Sequence, residues 1–304
     1  MSRIHDALKK AEEEKSALSS GVATSSGPAE LGEEPRAQRP MVGGGNGASL
    51  PGMLRFNEMK DKCAQARWKL DANANVFVDG GRSSLAAEQF RTLRSRLYQT
   101  RESKRLKTIL VTSSMAGEGK TFVVGNLAQS LVRQRDRRVL IIDGDLRAPR
   151  QHTVLGAPLG PGLSDFLSGA ADIFSVIQFG PIPNLCLIPG GSSESVREPS
   201  DLLSGPEFKH LLDLVSPVFD WILIDSPPVV PVADAAMISS LCDGVLVVVK
   251  ANSTDFHFAQ KACQEFQEKN LLGVVLNRVE DIPGYENYAY TYGADRASGL
   301  NLTD

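Results

Sequence analysis

Six short apolar, β-branched runs recur between residues 108 and 277, and stretches with the composition of helices separate them. The runs are Thr108 to Thr112, Val139 to Asp143, Leu185 to Pro189, Trp221 to Asp225, Gly244 to Lys250 and Gly273 to Asn277. Each is apolar throughout, without polar alternation, so both faces of each strand must be covered. The intervening segments, such as Lys120 to Arg133, Pro206 to Val215, Ala233 to Leu241 and Phe256 to Lys269, supply that cover. Strands of this kind alternating with helices predict an α/β domain whose parallel sheet is flanked by helices on both faces.

In open parallel sheets ligands bind at the carboxyl ends of the strands, and three of the runs end in chemistry-bearing residues. The first runs into Ser114-Met-Ala-Gly-Glu-Gly-Lys-Thr121, whose end opens the predicted helix Lys120 to Arg133. Small residues at a helix start let backbone N–H groups surround a phosphate, with Lys120 on the β and γ phosphates and Thr121 offering its hydroxyl to Mg²⁺. The usual first glycine of a P-loop is Ser114 here, so the strict pattern is departed from. Two other runs end at Asp143, with Asp145 two residues later, and at Asp225. Alone, each aspartate reads as a helix cap or turn residue. Together with the P-loop they read as the acidic side of a nucleotide site, in which Asp145 and Asp225 join Thr121 around Mg²⁺. The site residues expected around ATP are Ser114, Met115, Ala116, Gly117, Glu118, Gly119, Lys120, Thr121 and Phe122.

Outside this core the chain changes character. Residues 1–16 read as a short helix with a thin apolar side, and residues 17–75 as a flexible linker that includes Gly43 to Gly47; Met53 to Phe77 fit no single element. The domain that carries these motifs is expected over 76–278 and a polar tail over 279–304. That tail holds Tyr285, Tyr288, Tyr290 and Tyr292, four of the chain's five tyrosines, with no core to bury them. A formal net charge of -3 gives no electrostatic case for nucleic-acid binding, and four scattered cysteines suggest buried thiols rather than a disulfide frame or zinc site. With no signal core or membrane-length apolar run, the sequence points to the cytoplasm.

The deviant P-loop, the apolar strand ending Asp143-x-Asp145-x-Arg147 and the one ending Asp225-x-Pro-Pro resemble the three Walker motifs of bacterial tyrosine kinases. The fold implied is the P-loop NTPase fold in its deviant, Min/Par-like branch. Min and Par ATPases place a signature lysine where this chain has Met115. Glu88, Arg91 and Arg94, spaced three apart on a predicted Ser84 to Gln99 helix, match the motif by which these kinases hold neighbouring subunits in a ring, although the spacing alone fits a solvated face. The tyrosine cluster matches the segment that family members phosphorylate between subunits.

The resemblance implies an ATP- and Mg²⁺-dependent protein-tyrosine autokinase with Lys120, Asp143 and Asp145 as catalytic residues, Asp143 being the base. Asn277 takes the position where related ATPases recognise adenine; a turn asparagine is an equal reading. It implies further a homo-oligomeric ring, a separate membrane activator that recruits the chain to the inner face of the plasma membrane, a tyrosine phosphatase, and a role in extracellular polysaccharide synthesis and export. The rival reading is an ATPase switch that controls assembly of a partner without phosphorylating tyrosine.

Overall fold

The computed structural model describes residues 55–78, 84–192, 198–230, 232–268 and 270–279. The chain divides into two units, residues 1–48 and 49–304, and every described residue belongs to the second. The expected N-terminal helix and the four tail tyrosines therefore lie outside the described residues.

An eight-stranded sheet forms the centre of this unit. Its strands are β1 (Ala64–Gln65), β2 (Thr108–Ser113), β3 (Val139–Asp143), β4 (Gln178–Phe179), β5 (Leu185–Ile188), β6 (Trp221–Asp225), β7 (Gly244–Lys250) and β8 (Leu271–Asn277), in spatial order β1-β4-β5-β3-β6-β2-β7-β8. Every pairing is parallel except β4 with β5. All six predicted strands are present, and the two short ones extend the sheet beyond β5.

Continuous apolar strands are needed because alternate residues enter two different cores. Leu110, Leu140, Ile142, Ile222, Ile224 and Val247 lie in one, while Ile109, Val111, Ile141, Leu223 and Val248 lie in the other. Helix α2 (Leu85–Ser103) and helix α3 (Lys120–Val132) cover the second core through Ala87, Phe90, Leu97, Val124, Leu127 and Leu131. Ser84 caps α2 by accepting a hydrogen bond from the Ala87 N–H at 3.1 Å. On the other face lies α8 (Pro206–Val215), which turns Phe208, Leu211, Leu212 and Val215 inward and carries proline at its start, where no N–H is missed.

The expected linker over 17–75 stops short of its predicted end. Residues 56–62 form helix α1 (Phe56–Lys62), β1 follows, and Phe56, Met59, Trp68 and Phe77 are all buried. Few apolar residues at irregular spacing gave this segment no period, yet each side chain meets the main body. Phe56 packs against Phe179 and Phe219, and Trp68 lies against Gly180 so closely that a Cβ there would come within 2.2 Å of the indole. Phe56, Met59 and Cys63 enter one core, Trp68 and Phe77 the other, so the segment wraps the β1 edge of the sheet and supplies both faces.

Cys63, Cys186 and Cys242 are buried and Cys263 half-buried, all as free thiols, as expected. Among the described residues no helix is long and apolar enough to cross a membrane.

Candidate active site

β2, β3 and β6 lie side by side in the sheet, so their carboxyl ends bring the P-loop, Asp143, Asp145 and Asp225 to one place. Register pairs Asp143 directly with Asp225. The loop after β2 turns through Gly117 and Gly119, at φ 83° and 93°, a region that favours glycine. Gly119 also has no room: a Cβ would lie 2.1 Å from Asn277 Nδ2. Helix α3 starts at Lys120 with Gly119 as its N-cap, so its first N–H groups open toward the loop.

Glu118 holds the loop from within. Its buried carboxylate accepts from Ser114 Oγ at 2.8 Å and 2.9 Å, from the Met115 N–H at 2.8 Å and from the Thr254 hydroxyl. Asn277 fastens the other side, donating from Nδ2 to the Glu118 carbonyl at 2.9 Å. Ser114 therefore replaces the usual glycine with a hydroxyl that ties the loop to itself. Met115 is 40% exposed.

Lys120 Nζ lies 2.8 Å from Asp145 Oδ2 and 3.5 Å from Asp225 Oδ1. Asp225 Oδ1 makes no hydrogen bond, and its Oδ2 accepts from Gln151 Nε2 at 3.2 Å. Asp143 Oδ2 accepts from the N–H groups of Arg150 and Gln151, both at 2.9 Å, and Oδ1 from the Asp145 N–H at 3.3 Å. Burial pushes the Asp143 carboxyl up to about 8, helped by Asp225; the Gln151 N–H and Lys120 act against it. Burial likewise raises Asp225, against Lys120 and Gln151. Burial alone would lower the Lys120 ammonium, but Asp225 and Asp145 outweigh it and hold it above its ordinary value.

Crowded carboxylates, one of them with an orphaned oxygen, suit a divalent cation. Among the described residues no three acidic, histidine or cysteine side chains converge as a ready-made metal cage. Mg²⁺ keeps waters and takes one or two carboxylates together with phosphate oxygens.

Two contributors, Gln151 and Thr254, escaped the sequence reading, and a third, Arg147, was read there only as part of the Asp143-x-Asp145-x-Arg147 motif. Gln151 opens a five-residue helix, α4 (Gln151–Leu155), and bridges the Thr121 carbonyl to Asp225. Thr254 braces Glu118 from the loop after β7. Arg147 Nε lies 2.8 Å from Asp234 Oδ2, and its Nη2 donates to Ser200 Oγ at 2.8 Å, which in turn donates to Asp234 Oδ1. Arg147 thereby ties the Asp145 loop to helix α9 (Asp234–Ser239), which follows Asp225 in the chain. Neither Gln151 nor Thr254 belongs to a motif of fixed spacing. The three residues expected to contact neighbouring subunits lie apart from the site, on α2: Glu88 and Arg91 pair with each other, and Arg94 donates to the Ser130 carbonyl at 2.8 Å.

A family model described as an AAA domain matches residues 106–269. Tyrosine-protein kinase CpsD of Streptococcus agalactiae is 32% identical over 210 residues, covering 68% of this chain and 89% of that protein. Tyrosine-protein kinase ptk of Acinetobacter johnsonii is 32% identical over 214 residues, covering 70% of this chain but 29% of that protein, so the chain spans less than a third of this longer relative. Among solved structures, the kinase domain of Escherichia coli tyrosine kinase ETK matches with a TM-score of 0.64 and 27% identity, over 69% of this chain and 81% of that one.

Proposed function

Since the chain belongs to the bacterial tyrosine-protein kinase family, we propose that it transfers the γ-phosphoryl group of ATP to Tyr285, Tyr288, Tyr290 and Tyr292 of another copy. The observation that carries this reading is the meeting of Lys120 with Asp145 and Asp225 at the mouth of the P-loop, with Asp143 immediately behind.

In this scheme the α3 N–H groups and Lys120 receive the β and γ phosphates, and Lys120 exchanges Asp145 for a phosphate oxygen. Asn277, already fastened to the loop at Glu118, borders the base. Thr121, Asp145 and Asp225 would hold Mg²⁺, which supplies charge neutralisation to the phosphates when bound. The tyrosine oxygen forms the new bond to the γ-phosphorus as the bond to the β-phosphate bridge oxygen breaks, and ADP leaves. Tyrosine titrates near 10, so its proton needs an acceptor. Asp143 is assigned that role: its Oδ1 is engaged by a single long bond, and its raised value makes the ionised form, the minor one at neutral pH, the stronger base. Glu88, Arg91 and Arg94 are proposed to join subunits in a ring. On the family relationship rest a separate membrane activator, a phosphatase that resets the tail, and control of extracellular polysaccharide synthesis and export.

The test mixes two variants with labelled ATP. Lys120→Met keeps the tail and loses the site; the four-fold Tyr→Phe variant keeps the site and loses the tail. Phosphotyrosine on the Lys120→Met copy only in the mixture supports transfer in trans. One observation favours a second reading, an ATPase switch: Glu88 pairs with Arg91 and Arg94 with Ser130 inside one subunit. ATP hydrolysis without any phosphotyrosine would select it.

A further inference from the structure

The whole-chain charge conceals an uneven distribution. Arg101-Glu-Ser-Lys-Arg-Leu-Lys107 and Arg133-Gln-Arg-Asp-Arg-Arg138 hold eight cations and two carboxylates, in a chain whose formal charge is -3. The first run leads into β2 and the second into β3, and β6 lies between those strands. Topology therefore places both runs around the amino end of β6, at the opposite end of the sheet from Lys120.

Aromatic rings hold Arg101 and Arg137 in place. The Arg101 guanidinium lies 4.6 Å above the Trp221 ring, and Arg137 lies 6.0 Å from the Tyr98 ring. Tyr98 and Trp221 meet edge to face at 5.2 Å, and Trp221 Nε1 donates to the Tyr98 hydroxyl at 3.0 Å. Lys104, Arg105 and Arg135 are exposed, and a cleft of about 420 Å³ is lined by residues 101–107.

Of the nearby acids, Asp136 pairs with Arg135 at 3.7 Å, and Asp243 and Asp220 are partly used up by the backbone. Asp243 Oδ2 accepts from the Lys107 and Thr108 N–H groups, each at 2.8 Å, and Asp220 Oδ2 accepts from the Arg138 N–H at 3.0 Å while its Oδ1 pairs with Arg137. Lys107 records the imbalance. Burial lowers its ammonium, and Arg101 and Arg105 add to that against the pull of Asp220 and Asp243.

We infer that this end of the sheet is a docking surface for anionic phospholipid headgroups. Guanidinium groups match phosphate oxygens in pairs, and clustered Lys and Arg are drawn to an anionic leaflet. Trp221 is buried beneath the cations, so no exposed ring among these residues offers the stacking platform that single-stranded nucleic acid uses. The cleft is lined by one basic run, without the apolar pockets that read a peptide's side chains. Contact here leaves the P-loop and Val279, at the other end of the strands, facing away from the lipid.

The experiment sediments the full chain, without ATP, with vesicles of phosphatidylcholine alone or with about one-third phosphatidylglycerol, at about 0.1 M salt. Anionic vesicles should bind at least tenfold more protein, and binding should fall as salt rises. Lys104→Gln/Arg105→Gln/Arg135→Gln should lose most of that binding while keeping the wild-type unfolding midpoint. Lys69→Gln/Arg96→Gln/Lys261→Gln, with the same change in charge elsewhere, should keep it. Equal binding to both vesicle types, equal loss in both triple variants, or preference for a short DNA duplex over vesicles of equal phosphate content would overturn the inference.

Discussion

Lys120 bridges two strands: its ammonium lies 2.8 Å from Asp145 beyond β3 and 3.5 Å from Asp225 at the end of β6. It is at once the proposed phosphate ligand and the counter-charge for a carboxylate cluster. Lys120→Met should therefore abolish tyrosine phosphorylation and also destabilise the fold, by about 3 kcal/mol, because removing one partner leaves buried charge uncompensated. Urea unfolding in the presence of chelator checks the second effect. An unchanged midpoint would show that the cluster needs no counter-charge.

The Asp143 carboxyl offers a pH test. Its ordinary value of 3.8 is raised to about 8 in the fold, so the folded chain holds this proton more tightly than the unfolded one. The resulting stabilisation is complete below about pH 4 and is lost as pH rises through about 8. Asp143→Asn should flatten the stability profile over that window, standing best relative to wild type at its alkaline end. Parallel profiles for the two proteins would contradict the assignment.

Gly119 faces two obstacles to a side chain, its φ of 93° and the Asn277 amide. Gly119→Ala should cost about 1–3 kcal/mol and greatly weaken nucleotide binding. Adding Asn277→Ala removes the clash but not the backbone strain, so it should restore part of the stability. Full recovery in the double variant, measured by thermal unfolding, would mean that the backbone conformation is unimportant.

Arg147 is expected to act through position rather than contact. Arg147→Gln leaves buried Asp234 with Ser200 alone and should cost about 1–3 kcal/mol. It should lower kcat for tail phosphorylation about tenfold while KM for ATP stays within about twofold, because Asp145 loses its brace and Lys120 does not. Arg147→Lys should recover little, since one ammonium does not span both Asp234 and Ser200. A change confined to KM would place Arg147 at the nucleotide instead.

The parts legible in the sequence were those with short-range signatures. Val139–Asp143, Trp221–Asp225 and Gly244–Lys250 are apolar throughout because two cores need them, and the glycines of the P-loop announce their turn. Gln151 and Thr254 had no such signature: their roles depend on loops that meet only when strands distant in the chain become neighbours. Residues 55–78 were missed because their anchors, Phe56, Met59, Trp68 and Phe77, are set by the surfaces that receive them rather than by any helical or strand period. The weak apolar side of a seven-residue helix reads as linker until Phe179 and Phe219 are placed beside it.

That edge-wrapping segment also decides how the chain tolerates shortening. Trimming from the amino terminus should become costly once it reaches Phe56. Loss of Phe56 and Met59 uncovers one side of the sheet, and a cut reaching residue 80 also removes Trp68 and Phe77 from the other. The shortest fragment that remains soluble and resists protease should thus begin before residue 55, about twenty residues ahead of the catalytic domain as its motifs would delimit it.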